Sequence, residues 1–305
     1  SSTKLLRRSA SLTNATCGSY GAWSQVGSND PTSAYADTSV SSGNCYQYQY
    51  QVFDNVLNDV NYTSASTAKV DTGVPSVAVT GITEDSGVGY QYVSGTTVYY
   101  NSVGTGNFTV SASANDTISN ISRVMFPETV STGVNDTTSP YTGTYAFDTS
   151  DTYSASSTVV AWDNAGNNQT ASFTVTRDVT APSGGTVSYT DGYYTTASVS
   201  VTFSDGTDAG SGINTSSTKL LRRAATLSSG SCGSYGSWSQ IGSNDPTSAY
   251  SDTSVISGNC YQYQYQVFDN VLNDVNYTSA SSAKVQLSNP SCSINSIDDS
   301  SAYGY

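Results

Sequence analysis

Histidine is absent from this 305-residue chain, methionine occurs once, and glutamate occurs only at Glu84 and Glu128. Without an imidazole, neither a Ser–His–Asp triad nor a Cys–His dyad can be assembled, and the usual zinc ligand sets lose a member. Cations are scarce too: ten Lys plus Arg stand against 23 acidic residues, for a formal net charge of −13. Nucleic acid and anionic membrane surfaces both require a cationic footprint, so neither is expected as a partner. No apolar run is long enough to span a bilayer, and no signal peptide pattern opens the chain. No Gly-rich loop leads into a helix, which removes a phosphate cradle. Asp205 and Asp208 form a close carboxylate pair in a Gly/Ser-rich stretch, where aspartate reads as a turn former rather than an acid–base catalyst. No catalytic residues are assigned, and an enzyme is not expected.

What is present is hydroxyl and phenol. Ser and Thr account for 96 residues, and 24 tyrosines outnumber seven phenylalanines. Strong helix formers are few while β-branched and aromatic residues abound, which points to an all-β protein. The five cysteines include two pairs of equal spacing, Cys17 with Cys45 and Cys232 with Cys260. Without histidines or CxxC spacing these pairs read as one disulfide per copy rather than a metal site. Such bonds persist in oxidising compartments, so an extracellular or cell-surface location is expected. Cys292 is left over, its partner expected beyond residue 305.

The dominant signal is an internal duplication. Residues 1–70 and 216–285 match at an offset of 215 with eleven differences, and NCYQYQYQVFDNVLNDVNYTSAS stands unchanged at 44–66 and 259–281. Fixed-period self-similarity marks an array of packed units. Proline-bearing linkers at 69–75, 177–182 and 284–290 divide the chain into a partial module A at 1–70 lacking its first strands, a module B at 71–177, a complete module A at 178–285, and the start of a further module B at 286–305. The first copy lacks counterparts of 178–215. The expectation is a longer continuous chain, in preference to subunits completing each other by strand donation.

Period-2 alternation runs through each module, as in Val199-Ser-Val-Thr-Phe203, Tyr261-Gln-Tyr-Gln-Tyr-Gln-Val267, Ser157–Trp162 and Ala171–Thr176, with Gly/Asn/Asp/Ser clusters between runs. The fold class read from this is all-β, with tandem immunoglobulin-like β-sandwich modules arranged end to end as a rod. Trp23, Trp162 and Trp238 are expected to anchor the three cores. The repeated basic stretch Lys4–Arg8 and Lys219–Arg223 is expected on a solvated strand face or edge. The tyrosine stripe is assigned to core packing rather than to sugar binding.

The turn Asp163-Asn-Ala-Gly-Asn167, between two strands and followed by the D-x-T-A-P linker at 178–182, resembles the immunoglobulin-like, hyalin-type repeat domains of large bacterial and archaeal cell-surface proteins. That resemblance implies fold and location, and it says nothing of a ligand. Module A departs from it with leucine in place of glycine in Asp54-Asn-Val-Leu-Asn58 and Asp269-Asn-Val-Leu-Asn273. A leucine there would be strained at positive φ, so a different turn geometry is anticipated.

Calcium is the one cofactor considered, at module junctions, with Asp71, Asp163, Asp178, Asp208 and Asp269 as candidate ligands. The competing reading makes these aspartates turn caps. N-x-S/T sequons occur at Asn14, Asn61, Asn107, Asn115, Asn120, Asn135, Asn168, Asn214 and Asn276, a count that so much Ser and Thr makes unremarkable. The leading functional expectation is a structural segment of an extracellular filament, stalk or surface fibre, with neighbouring copies of the module as partners. Alternatives are an adhesin whose modules bind a glycan or protein, and spacer modules of a secreted enzyme.

Overall fold

The computed structural model describes residues 2–85, 87 and 89–295, and no helix occurs among them. The chain divides into two compact units, Ser1–Val179 and Thr180–Tyr305.

The first unit opens with a six-stranded antiparallel sheet. Its spine runs Thr16–Cys17, Thr3–Thr13, Asn44–Phe53, Asp59–Thr63, while Ser24–Val26 pairs with Thr3–Thr13 and Ala68–Val70 with Asn44–Phe53. The rest of the unit is a β-sandwich. A three-stranded sheet (Tyr141–Phe147, Gly106–Asn115, Ser76–Glu84) packs on a six-stranded one (Val134–Asp136, Ile121–Phe126, Ala155–Asp163, Asn168–Arg177, Thr97–Tyr100, Gln91–Ser94). Strict alternation in Tyr141–Phe147 puts Tyr141, Gly143, Tyr145 and Phe147 inward. They meet Val98, Tyr100, Phe108, Val124 and Phe173 in one core, in which the Phe108 and Tyr145 rings stack at 5.2 Å.

The second unit is a sandwich of a different make-up. Thr186–Ser188, Val199–Ser204 and Tyr250–Asp252 form one sheet. The other runs Gly192–Tyr194, Ala283–Val285, Asn259–Phe268, Lys219–Ser228, Ser231–Cys232, with Asp274–Thr278 and Ser239–Gln240 attached. Val199, Val201 and Phe203 face Tyr261, Tyr263, Tyr265 and Val267 across the core, and the Phe203 and Tyr265 rings lie 4.4 Å apart. The alternating glutamines face outward, where Gln264 reaches Thr278 at 2.8 Å and Gln266 reaches Asp274 at 2.9 Å. The architecture is all-β, built of immunoglobulin-like sandwich modules in tandem. Both cystines are formed, Cys17–Cys45 and Cys232–Cys260. Cys45 and Cys260 are fully buried.

Three expectations need correction. Trp23, Trp162 and Trp238 are half-buried and belong to no core cluster. Each lies on an outer sheet face beneath a guanidinium, with Arg8, Arg123 and Arg223 at 4.6, 4.9 and 4.6 Å from the rings, because tyrosine, phenylalanine and valine already fill the interior. The basic stretch is correspondingly not a solvated edge. It lies on a strand flanked on both sides, with Arg7 over Tyr46 and Arg222 over Tyr261, each arginine also paired to an aspartate, Asp37 or Asp252. The leucine turns keep the glycine geometry: Leu57 at φ 69° and Leu272 at φ 68° take the left-handed conformation of Gly166. The Asp N–H to Asn C=O bond closes all three turns, at 2.9 Å for Asp54, 3.0 Å for Asp163 and 3.0 Å for Asp269. The side-chain bonds of each turn aspartate thus hold a leucine where it costs about 1–2 kcal/mol.

Residues 286–295 carry no strand, and the remainder of the stretch assigned to a further module, residues 296–305, lies outside the described residues.

Candidate functional sites

Two features of the molecule hold chemistry or surface that packing alone does not account for: a cluster of carboxylates and a bare sheet face.

The carboxylate cluster sits in the first unit. Asp71 lies in the connection from Ala68–Val70 to Ser76–Glu84, Asp116 directly follows Gly106–Asn115, and Asp163 ends Ala155–Asp163. One oxygen from each lies within 4.8 Å of the other two. Local amides aim all three. Asp71 Oδ1 accepts from Gly73 N at 2.9 Å and Ser42 Oγ at 3.3 Å. Asp116 Oδ1 accepts from the N–H groups of Ile118 at 2.9 Å and Ser119 at 2.6 Å. Asp163 Oδ1 accepts from Ala165 N at 2.9 Å and Asn167 N at 2.8 Å, and its Oδ2 from Asn167 Nδ2 at 2.8 Å. Asp71 Oδ2 is buried and receives no hydrogen bond. Three negative charges at this separation repel, and oxygen-only donors in such a cluster suit a hard divalent cation. A cleft of about 280 Å3 lies alongside, lined by Leu12, Lys69, Asp71, Ser119 and Asn164.

Of the five calcium candidates read from the sequence, Asp71 and Asp163 are brought together here, joined by Asp116, which that reading missed. In the second unit Asp208 and Asp269 approach each other within 4.8 Å. Asp208 Oδ2 accepts from Gly210 N at 3.0 Å and Gly212 N at 2.7 Å, and Asp269 Oδ1 from Val271 N at 2.9 Å. Asp178 is 4 % exposed in the first unit, its N–H donating to Tyr100 O. A signal for Asp116 was available: Asp116-Thr-Ile-Ser-Asn120 and Asp208-Ala-Gly-Ser-Gly212 share a D-x-x-S frame in the two module types.

The bare face belongs to the first copy of the repeat. Its counterpart in the second copy is core. Leu220, Tyr263, Tyr265, Val267, Ala283 and Val285 are at most 1 % exposed. Their equivalents Leu5, Tyr48, Val52 and Val70 are half-exposed, and Tyr50 and Ala68 are open to solvent. Two grooves run along it: one of about 350 Å3 around Leu5, Pro31, Tyr35 and Tyr50, and one of about 460 Å3 around Asp37, Val40, Tyr48 and Val70.

Beneath this face lies a polar network common to both copies. Asp37 Oδ2 accepts from Arg7 at 2.8 Å and from the Tyr48 hydroxyl at 2.9 Å; Asp252 Oδ2 accepts from Arg222 at 2.7 Å and from Tyr263 at 2.8 Å. Burial works to raise the Asp37 carboxyl, but hydrogen bonds from Ser39, Tyr48 and Arg7 outweigh it and bring the pKa down to about 2. Asp252 is lowered by the same balance. Burial, then the bond to Asp37, pushes the Tyr48 phenol up to about 12, and the more deeply placed Tyr263 is driven higher still.

The sequon asparagines at 14, 61, 115, 135, 168 and 276 are exposed, while Asn107, Asn120 and Asn214 are half-buried. Cys292 is an exposed free thiol.

No family model matches the chain, and no curated protein matches it in sequence. Among solved structures it is similar to the fibronectin(III)-like modules of Clostridium thermocellum CbhA, with 18% identity over 68% of this chain and 94% of that one at a TM-score of 0.28. A tetra-tandem repeat from the extending region of a large adhesion protein gives 15% identity over 94% of this chain and 67% of that one, TM-score 0.27. The chicken CNTN1 FN1–FN3 domains give 12% identity over 90% and 89%, TM-score 0.25.

Proposed function

We propose that this chain is a non-catalytic structural segment of an extracellular filament, stalk or surface fibre, in which disulfide-locked β-sandwich modules repeat to set length. The observation that carries this reading is the duplicated module itself. A 70-residue stretch occurs twice with eleven differences, each time with the same cystine and the same Arg–Asp–Tyr network, and such repetition supports a spacer more directly than a single binding surface. The proposal includes calcium held by Asp71, Asp116 and Asp163, where Asp71 Oδ2 has a place for a cation and no hydrogen-bond donor. Bound there, the ion would tie the connection after Val70 to the strand end at Asp163 and stiffen it.

Single-molecule pulling of the whole chain tests both parts. Reduction is expected to lengthen the released contour by about 10 nm per cystine module, given some 3.3–3.6 Å per residue and a separation of 28. Calcium is expected to raise the unfolding force of the first unit in the wild type and not in Asp163→Asn, which keeps the turn's acceptor but loses the charge. Low-force unfolding indifferent to calcium, together with saturable retention of one glycan class on an array, would replace this reading with an adhesive one.

A further inference from the structure

Module B carries a pair of phenols that its core does not use. Gln91–Ser94 and Thr97–Tyr100 form an antiparallel hairpin at the edge of the six-stranded sheet, and Tyr92 stands directly opposite Tyr99. Their neighbours Gln91 and Tyr100 are at most 2 % exposed and point into the sandwich. Alternation therefore sends Tyr92 and Tyr99 to the outer face, where both are half-buried. There the two rings stack, with 6.3 Å between centroids and 29° between planes.

The other close ring pairs among the described residues each contain a core ring: Tyr100–Phe147, Phe108–Tyr145, Tyr145–Phe173, Tyr189–Tyr263 and Phe203–Tyr265. Phenols in those pairs are committed. Tyr100 donates to Tyr153 O at 2.9 Å, Tyr145 to Pro127 O at 2.9 Å, and Tyr263 to Asp252 Oδ2 at 2.8 Å. Burial also pushes all three phenols upward, away from easy loss of the proton. The Tyr92 and Tyr99 hydroxyls, by contrast, donate to no described residue. Because the two rings face each other, they do not form the coplanar platform on which a sugar would stack. Tyr193 in the second unit is more open, at 60 % exposure, but its ring lies under Lys284 Nζ at 5.4 Å and beside no second phenol.

We propose that Tyr92 and Tyr99 form an oxidative crosslinking site, joined as dityrosine by a one-electron oxidant of the haem peroxidase class with hydrogen peroxide. Each phenol gives up one electron and one proton to become a phenoxyl radical. A bond forms between one Cε carbon of each ring, and the hydrogens on those carbons then move to the oxygens, restoring both phenols. Two electrons and two protons leave the pair and reduce one hydrogen peroxide to two waters. Strand register holds the two radicals on one face, so their coupling is effectively unimolecular, whereas phenols of separate chains must first collide. The crosslink fixes an edge strand that has a single paired neighbour. That neighbour, Thr97–Tyr100, pairs in turn with Thr174–Arg177, which leads into the next linker. The hairpin is thereby clipped shut where the sheet would otherwise fray.

The test treats the whole chain, dilute, with a haem peroxidase and limiting hydrogen peroxide. Dityrosine fluorescence and mass spectrometry of reduced, digested protein are the readouts. A monomer lacking two hydrogens is expected first, with one crosslinked peptide joining Tyr92 to Tyr99. Tyr92→Phe and Tyr99→Phe keep the ring and are each expected to cut the early fluorescence about 10-fold, since what remains needs collision between chains. Tyr193→Phe, which removes a more exposed phenol, is expected to leave it unchanged. Early crosslinks that map elsewhere, chain-to-chain dimers ahead of the modified monomer, or full fluorescence in Tyr92→Phe would each overturn the proposal. None of these outcomes bears on the spacer reading, which rests on force and calcium.

Discussion

Residues 44–66 and 259–281 have one sequence and two environments. In the second copy the strand Asn259–Phe268 buries Tyr261, Tyr263, Tyr265 and Val267 to 3 % exposure or less. In the first, Tyr46 alone of those four positions is buried, Tyr50 stands 38 % exposed, and Val56 reaches 76 % where Val271 is 0 %. Backbone pairing with the preceding basic strand is the same in both. The alternation of a strand thus fixes which residues share a face, and the neighbouring sheet decides whether that face is core. The turn aspartates show the same division. Asp269 is buried and lies beside Asp208, whereas its twin Asp54 is exposed although it caps the same turn with Val56 N and Asn58 N.

Truncating the core is the strongest way to break this contrast. Leu220→Ala empties a fully buried site and is expected to destabilise the second unit by about 3 kcal/mol, while Leu5→Ala on the half-open face should cost under about 1 kcal/mol; urea denaturation followed by proteolysis of each unit measures both. Equal losses would mean that the first face is covered in solution.

A smaller difference is expected in the polar network. Asp252→Asn removes the charge that Arg222 and buried Tyr263 address, at about 2 kcal/mol, and Asp37→Asn about 1 kcal/mol, because Tyr48 stays half-exposed; thermal unfolding of the two variants gives the comparison.

Titration sharpens the contrast further with the least perturbation. A phenol whose folded pKa lies above its unfolded value of 10.0 contributes stability in full below pH 10 and loses it as pH rises toward the folded value. Ultraviolet difference spectra are expected to show Tyr48 ionising near pH 12 and Tyr263 ionising only on unfolding. For Asp37 the sign reverses. Its contribution is present above the unfolded value of 3.8 and is lost as pH falls through about 2.

Much of this was legible in advance. The alternating runs at 199–203 and 261–267 sit on the faces their spacing required, because a β-strand offers only two faces. Size suggests that the tryptophans anchor the cores, whereas each indole ring lies on an outer face in cation–π contact with an arginine. Arg8 is close to Trp23 only through the folding of the segment between them, which no strand pattern encodes. Asp116 went unnoticed because its cluster gathers residues 71, 116 and 163, and sequence spacing carries no distance across a sandwich.

By itself the sequence determined the β class, the cysteine pairs and the inward and outward sides of each strand, since chirality, spacing and hydrophobicity act locally. Only tertiary structure decided which of two identical tyrosine faces became core and which aspartates met, because both depend on a second layer of backbone whose position the repeated residues do not specify.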